Sequence, residues 1–156
     1  DSIKSRGVAA MTMEDVRWGR SDIKSINLLA NVLACQQAKQ AGVFETILVK
    51  DGVVTEGAVS NVVLVRNASL ITAPEGPRIL SGVTRAVVLQ LARAHGVSVH
   101  ERYPSQGELF GAEEVFLTAT TVEVLGVVEI DGKAIGSGRP GRLTGRIAGW
   151  FSEQIA

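Results

Sequence analysis

The chain has 156 residues, 46% of them hydrophobic, enough to bury one core and too few for several independent domains. Sixteen basic and sixteen acidic side chains cancel, so no net field draws nucleic acid or an anionic membrane surface, and no run of like charge stands out. Cys35 is the only cysteine, which excludes an internal disulfide, fits a reducing compartment and reads as a small core residue.

The opening stretch, residues 1–7, is polar and reads as a connector, and residues 7–13 are apolar enough for a strand. Ile26, Leu29, Val32 and Leu33 recur at helical spacing and predict a helix over 25–41, with Gly42 as its C-terminal cap. Lys24 then falls at a strand-to-helix junction. The longest apolar run, 26–35, is interrupted by Asn27 and Asn31 and is too short to span a bilayer, and no signal sequence is recognised, so a soluble, cytoplasmic protein is expected. Residues 44–50 alternate and lead into Asp51-Gly52, a two-residue hairpin signal, with 53–55 returning and 61–65 forming a further strand. Asn67-Ala68-Ser69 turns into a strand over 70–73, and Pro74-Glu75-Gly76-Pro77 is a loop. Gly82-Val83-Thr84-Arg85 opens a helix with the stripe Val87, Val88, Leu91 and Ala92, stopped by Gly96. Strands over 97–101, 114–119 and 122–130, a short helix over 106–110, a second hairpin signal at Asp131-Gly132 and a helix over 143–155 complete the chain. Hairpin-joined strands outnumber crossover helices, which predicts an α+β fold with a mixed, mainly antiparallel sheet and flanking helices.

Four of these places carry chemistry. Lys24 taken alone reads as a solvated surface group, but Ile23 and Ile26 beside it predict a partly desolvated amine, suited to act as nucleophile and general base. Glu56 is either a carboxylate at the sheet rim or, if a pyridine nitrogen lies beside it, the acid that keeps that nitrogen protonated. Gly82-Val83-Thr84 offers the unpaired N–H groups and positive dipole of a first helical turn, which suit an anion, although threonine there also serves as a helix cap. Thr118-Ala119-Thr120-Thr121, at a strand end, either closes the other side of that anion site or consists of ordinary β-branched strand residues. An amine, a carboxylate and an anion cup are together what a protein supplies to hold pyridoxal phosphate (PLP). His95 and His100 stand apart without a second ligand set, so no metal site is expected.

The motifs Asp22-Ile23-Lys24-Ser25-Ile26-Asn27-Leu28-Leu29, Val54-Thr55-Glu56-Gly57 with Ser60-Asn61, Gly82-Val83-Thr84-Arg85 and Thr120-Thr121-Val122-Glu123-Val124 occur in one order over nearly the whole chain. In these the sequence resembles the C-terminal domain of fold-type IV PLP-dependent enzymes, D-amino-acid aminotransferases above all. The resemblance implies that Lys24 is the lysine that binds the cofactor aldehyde and moves the substrate Cα proton, and that Glu56 partners the pyridine nitrogen. It further implies that Leu80 lies against the ring, that Val83 through its N–H, Thr84 and Thr120 hold the phosphate, and that Arg17 is a basic residue near the phosphate side. Ala58, Val59 and Ala119 depart from hydroxyl residues frequent in the family, which thins the polar lining beside the cofactor.

From the same resemblance, residues 1–156 form a PLP-binding domain, residues 1–7 end an interdomain connector, and a separate N-terminal domain supplies a phosphate arginine and the groups that trap the substrate carboxylate. The expected reaction is ping-pong transamination between an amino acid, D-configured by the leading reading, and a 2-oxo acid, in a homodimer. Branched-chain aminotransferase and aminodeoxychorismate lyase share the lysine and the glutamate. A non-catalytic anion-binding module, using Lys24 only as a charge, is the reading from another class.

Overall fold

The computed structural model of the chain describes residues 2–155. Its elements in chain order are α1 (Ser2–Arg6), β1 (Val8–Glu14), α2 (Leu29–Ala41), β2 (Glu45–Lys50), β3 (Val53–Gly57), β4 (Asn61–Arg66), β5 (Ser69–Thr72), α3 (Val83–Ala94), β6 (Val99–Glu101), α4 (Gln106–Phe110), β7 (Glu114–Ala119), β8 (Glu123–Ile130), β9 (Lys133–Ala134) and α5 (Arg142–Ile155). The strands form one sheet in the order β3-β2-β1-β8-β7-β4-β5-β6, with β9 added to β8. β1 runs parallel to both its neighbours and β5 runs parallel to β6, whereas the other five pairings are antiparallel. This is the mixed, mainly antiparallel α+β sheet that the hairpin pattern predicts.

Three two-residue turns set its registers. Asp51-Gly52, Asn67-Ala68 and Asp131-Gly132 each place both residues at positive φ, the backbone twist that suits a right-handed hairpin. Asn67-Ala68 carries no glycine, so the sequence marks a turn there without showing its handedness.

The sheet is covered on both faces, which is why β4 reads as a continuous apolar run. Val62 and Leu64 point to one side, with Ile47, Leu117, Leu125 and Leu109. Val63 and Val65 point to the other, where Phe116, Val88 and Leu89 of α3, and Ile147 and Phe151 of α5 meet.

Within the stretch expected as connector, Ser2–Arg6 forms the helix α1, whose Lys4 pairs with Glu123; Asp1 lies outside the described residues. One expectation needs correction. The helix expected from residue 25 begins at Leu29. Its buried side is not the stripe of large residues: Leu29 and Val32 are exposed, Ala34 and Ala38 are buried, and Ala34 packs with Leu48 and Ala58. Small side chains let the helix backbone approach β2 closely, and the Thr46 hydroxyl donates to the Ala34 carbonyl at 2.8 Å.

Candidate active site

β1 ends in a loop, residues 15–28, whose first residues turn inward. The Arg17 guanidinium donates to Asp15 through Nε and Nη2 at 2.9 and 2.7 Å, to Glu56 through Nη1, and to the Arg78 carbonyl at 2.9 Å. Thr55 adds its hydroxyl to Asp15 at 2.8 Å. All three charged side chains are at most 6% exposed, so the cluster holds two carboxylates and one cation away from water. Burial works against charge on Asp15, but the Arg17 hydrogen bonds and charge, with the Thr55 hydroxyl, more than offset it and hold this carboxyl below its usual value. Arg17 is likewise opposed by burial, and its two acid partners keep it firmly protonated. Glu56 carries the imbalance: burial pushes it up to about 7, against the pull of Arg17 and of the Leu80 N–H. One guanidinium cannot neutralise two buried acids, and the acid with fewer Arg17 contacts yields.

Glu56 is also tied to the next strand. Asn61 donates its amide to Glu56 at 2.9 Å and to the Leu80 carbonyl at 3.0 Å, while the Leu80 N–H reaches both Glu56 oxygens at 3.1 Å. Gly82 follows as the N-terminal cap of α3, and no side chain caps that helix. A β-carbon on Gly82 would collide with the Asn61 side-chain oxygen, so glycine is required by close approach. Arg85, 2% exposed, anchors the first turn by donating to the Ala73 carbonyl at 2.8 Å and to Glu101 at 2.9 Å. Val83 and Thr84 are thereby held at the edge of a cavity.

That cavity, about 430 Å³, is lined by Arg17, Lys24, Glu56, Leu80, Val83, Thr84 and Thr120 together with Trp18, Asn61 and Thr118. Every site residue singled out in the sequence therefore borders one space. Two details differ from expectation. Arg17 stands at the Glu56 end, its guanidinium engaged by acids, instead of offering a free cation to a phosphate. Lys24 is exposed on the cavity wall and makes no hydrogen bond or ion pair among the described residues; Ile23 is 44% exposed and Ile26 fully exposed. Apolar neighbours in sequence do not desolvate an amine when the loop carrying them lies open.

A family model described as Amino-transferase class IV matches residues 2–130. The chain belongs to that family. D-alanine aminotransferase of Bacillus licheniformis is 49% identical over 141 residues, 90% of this chain and 50% of that protein. D-alanine aminotransferase of Listeria innocua is 40% identical over 149 residues, 96% of this chain and 52% of that protein. Among solved structures, branched-chain aminotransferase of Escherichia coli matches with TM-score 0.83 and 32% identity over 94% of this chain and 50% of that one. Branched-chain aminotransferase of Thermobaculum terrenum, in its PLP form, gives TM-score 0.88 and 28% identity over 97% and 52%. The chain spans about half the length of these relatives.

Within this class IV aminotransferase chain, a supporting layer escaped the sequence reading. Asp15 is a polar residue whose spacing announces nothing, and Asn61 and Arg85 entered only as parts of motifs. Glu45 is 2% exposed and accepts from Ser60 Oγ at 2.7 Å and the Thr46 N–H at 2.8 Å. It braces the 57–60 turn in the cavity wall from beneath, while Asn31 of α2 holds the same turn through the Ala58 carbonyl at 2.8 Å. Burial pushes Glu45 above the usual carboxylate range despite those donors. Cys35, expected in the core, instead lines the cavity half-buried, its thiol pushed up by burial and by Glu45. Among the described residues no group of three or more His, Cys, Asp or Glu is placed to hold a metal, and no helix is long and apolar enough to cross a membrane.

Proposed function

We propose that this chain is the PLP-binding part of an aminotransferase that moves an amino group between an amino acid and a 2-oxo acid. The observation that carries the reading is the placement of Lys24, the Asp15–Arg17–Glu56 cluster and the uncapped start of α3 around one cavity. The residues fit the cofactor at both ends. With Glu56 ionised, the two buried acids and one arginine carry one negative charge, which a protonated pyridine nitrogen neutralises, and the free N–H groups of α3 suit a phosphate.

When bound, PLP supplies an aldehyde carbon and an electron-accepting ring. Lys24 supplies the amine for that aldehyde, and its Nζ takes the substrate Cα proton and returns it. Glu56 keeps a negative charge opposite the ring nitrogen, and Arg17 and Asn61 hold its carboxylate in place. Leu80 presents an apolar wall, while Val83 through its N–H, Thr84 and Thr120 hold the phosphate.

D-amino acids are the substrates this reading favours, supported by the D-alanine aminotransferase relatives at 40–49% identity. The structural likeness to branched-chain aminotransferases favours L-leucine and its kin as the second reading. We further propose that residues 1–7 lead from an N-terminal domain that covers the cavity and binds the substrate carboxylate, and that the full-length protein is a cytoplasmic homodimer. The half-length match and the exposed apolar residues Ile23, Leu28 and Val83 of the cavity lining support a covering partner.

The test uses full-length protein loaded with PLP. Borohydride is expected to discharge the yellow colour and leave a reduced adduct on Lys24 by mass spectrometry, and Lys24→Ala is expected to abolish both adduct and turnover. Absence of an adduct in the wild type refutes the reading. Half-reactions with D-alanine and L-leucine then separate the two substrate classes.

A further inference from the structure

The buried threonines divide into two groups. Thr46, Thr55, Thr72 and Thr144 each donate their hydroxyl, to the Ala34 carbonyl, Asp15, the Val62 carbonyl and Glu114 at 2.7–2.8 Å. Thr84 and Thr118 donate to nothing among the described residues, and both line the candidate cofactor cavity. Thr118 is the sharper case: it is 1% exposed and its Oγ1 is fully buried without a partner.

Its direction follows from the strand. Side chains alternate along β7, and Phe116, two residues earlier, packs in the cluster formed with Val88 and Leu89 of α3. Thr118 therefore faces the α3 side of the sheet. It stands opposite Asn61 in the β4–β7 register, and Asn61 in turn abuts Gly82, the cap of α3. The orphan hydroxyl thus lies between the α3 start and Thr120, where the proposed phosphate sits.

A buried hydroxyl without a partner is destabilising, and valine would fill the same volume on a strand without that cost. We propose that Thr118 is a further hydroxyl donor to the anionic end of the cofactor, beside Thr84 and Thr120, and that the ligand-free fold is strained by this hydroxyl until the anion binds. The inference rests on the PLP reading above.

Thr118→Val and Thr118→Ser in the full-length protein test it, with melting temperature of the cofactor-free form and PLP affinity by absorbance titration as readouts. Thr118→Val should leave the cofactor-free protein as stable as wild type or more so, yet weaken PLP binding about tenfold, the scale of one hydrogen bond to a charged group. Inorganic phosphate alone should raise the wild-type melting temperature more than that of Thr118→Val, and Thr118→Ser should restore affinity. Unchanged PLP affinity in Thr118→Val, or a loss that merely follows a loss of stability, overturns the proposal. If borohydride still fixes PLP to Lys24 in that outcome, only this inference fails; if it fixes none in the wild type, the PLP reading falls with it.

Discussion

Glu56 is the residue at which burial and pairing conflict most openly. Its carboxyl titrates at about 7 in the fold against 4.5 as its reference, so between these values the folded state holds a proton that the unfolded state has lost. Stability from this group is therefore fully present below pH 4.5 and is lost as pH rises through 7, by on the order of 3 kcal/mol at 1.36 kcal/mol per unit. Glu45, also raised, slopes the same way; Asp15, lowered, contributes stability that is lost as pH falls through its folded value. Glu56→Gln should flatten the decline between pH 4.5 and 7 in urea unfolding of the cofactor-free protein. An unaltered slope would show that Glu56 is ionised throughout. The sequence made Lys24 and Glu56 legible because each sits in a motif with a role, whereas Asp15 gave no sign and Arg85 stood in a motif without a role of its own. Their importance is a matter of what they face across the sheet, and spacing along the chain does not encode that.

The elements were legible where the backbone itself dictates geometry. Asp51-Gly52 and Asp131-Gly132 need positive φ at both positions, and the residues that tolerate it are recognisable in the sequence. Helix α2 was less so, because a stripe of large apolar residues marked the wrong face: Ala34 and Ala38 are its buried residues, and alanine carries little signal in a periodicity argument. The start of α3 offers a direct test. Gly82→Ala forces the Asn61 amide aside, breaking its bonds to Glu56 and Leu80. The expected result is a loss of about 1–3 kcal/mol in chemical unfolding, the scale of a buried polar group left unpaired, with weaker cofactor binding. Wild-type stability in the Gly82→Ala protein would mean that Asn61 has a second place to go.

For the whole molecule, the exposed apolar residues that follow Lys24 are the informative surface. Ile26 is fully exposed and Leu29 69% exposed, on a chain about half as long as its relatives. Under the proposed two-domain arrangement these side chains are covered, and burying an isoleucine is worth about 1.5–3 kcal/mol. Ile26→Glu in the full-length protein should therefore lower its melting temperature or dissociate its assembly in sedimentation. Ile155→Glu, at the end of α5 away from the cavity lining, should do neither; equal effects would remove the distinction.

Asn61 touches both halves of the cavity, gripping Glu56 on one side and pressing against Gly82 on the other. A single amide thus acts as a fixed gauge between the acidic end and the helix end, and neither can be moved without the other. If the cavity holds PLP as proposed, it would measure its ligand by length as well as by charge. Under the proposed PLP reading, pyridoxal stripped of its phosphate would reach only one of the two stops.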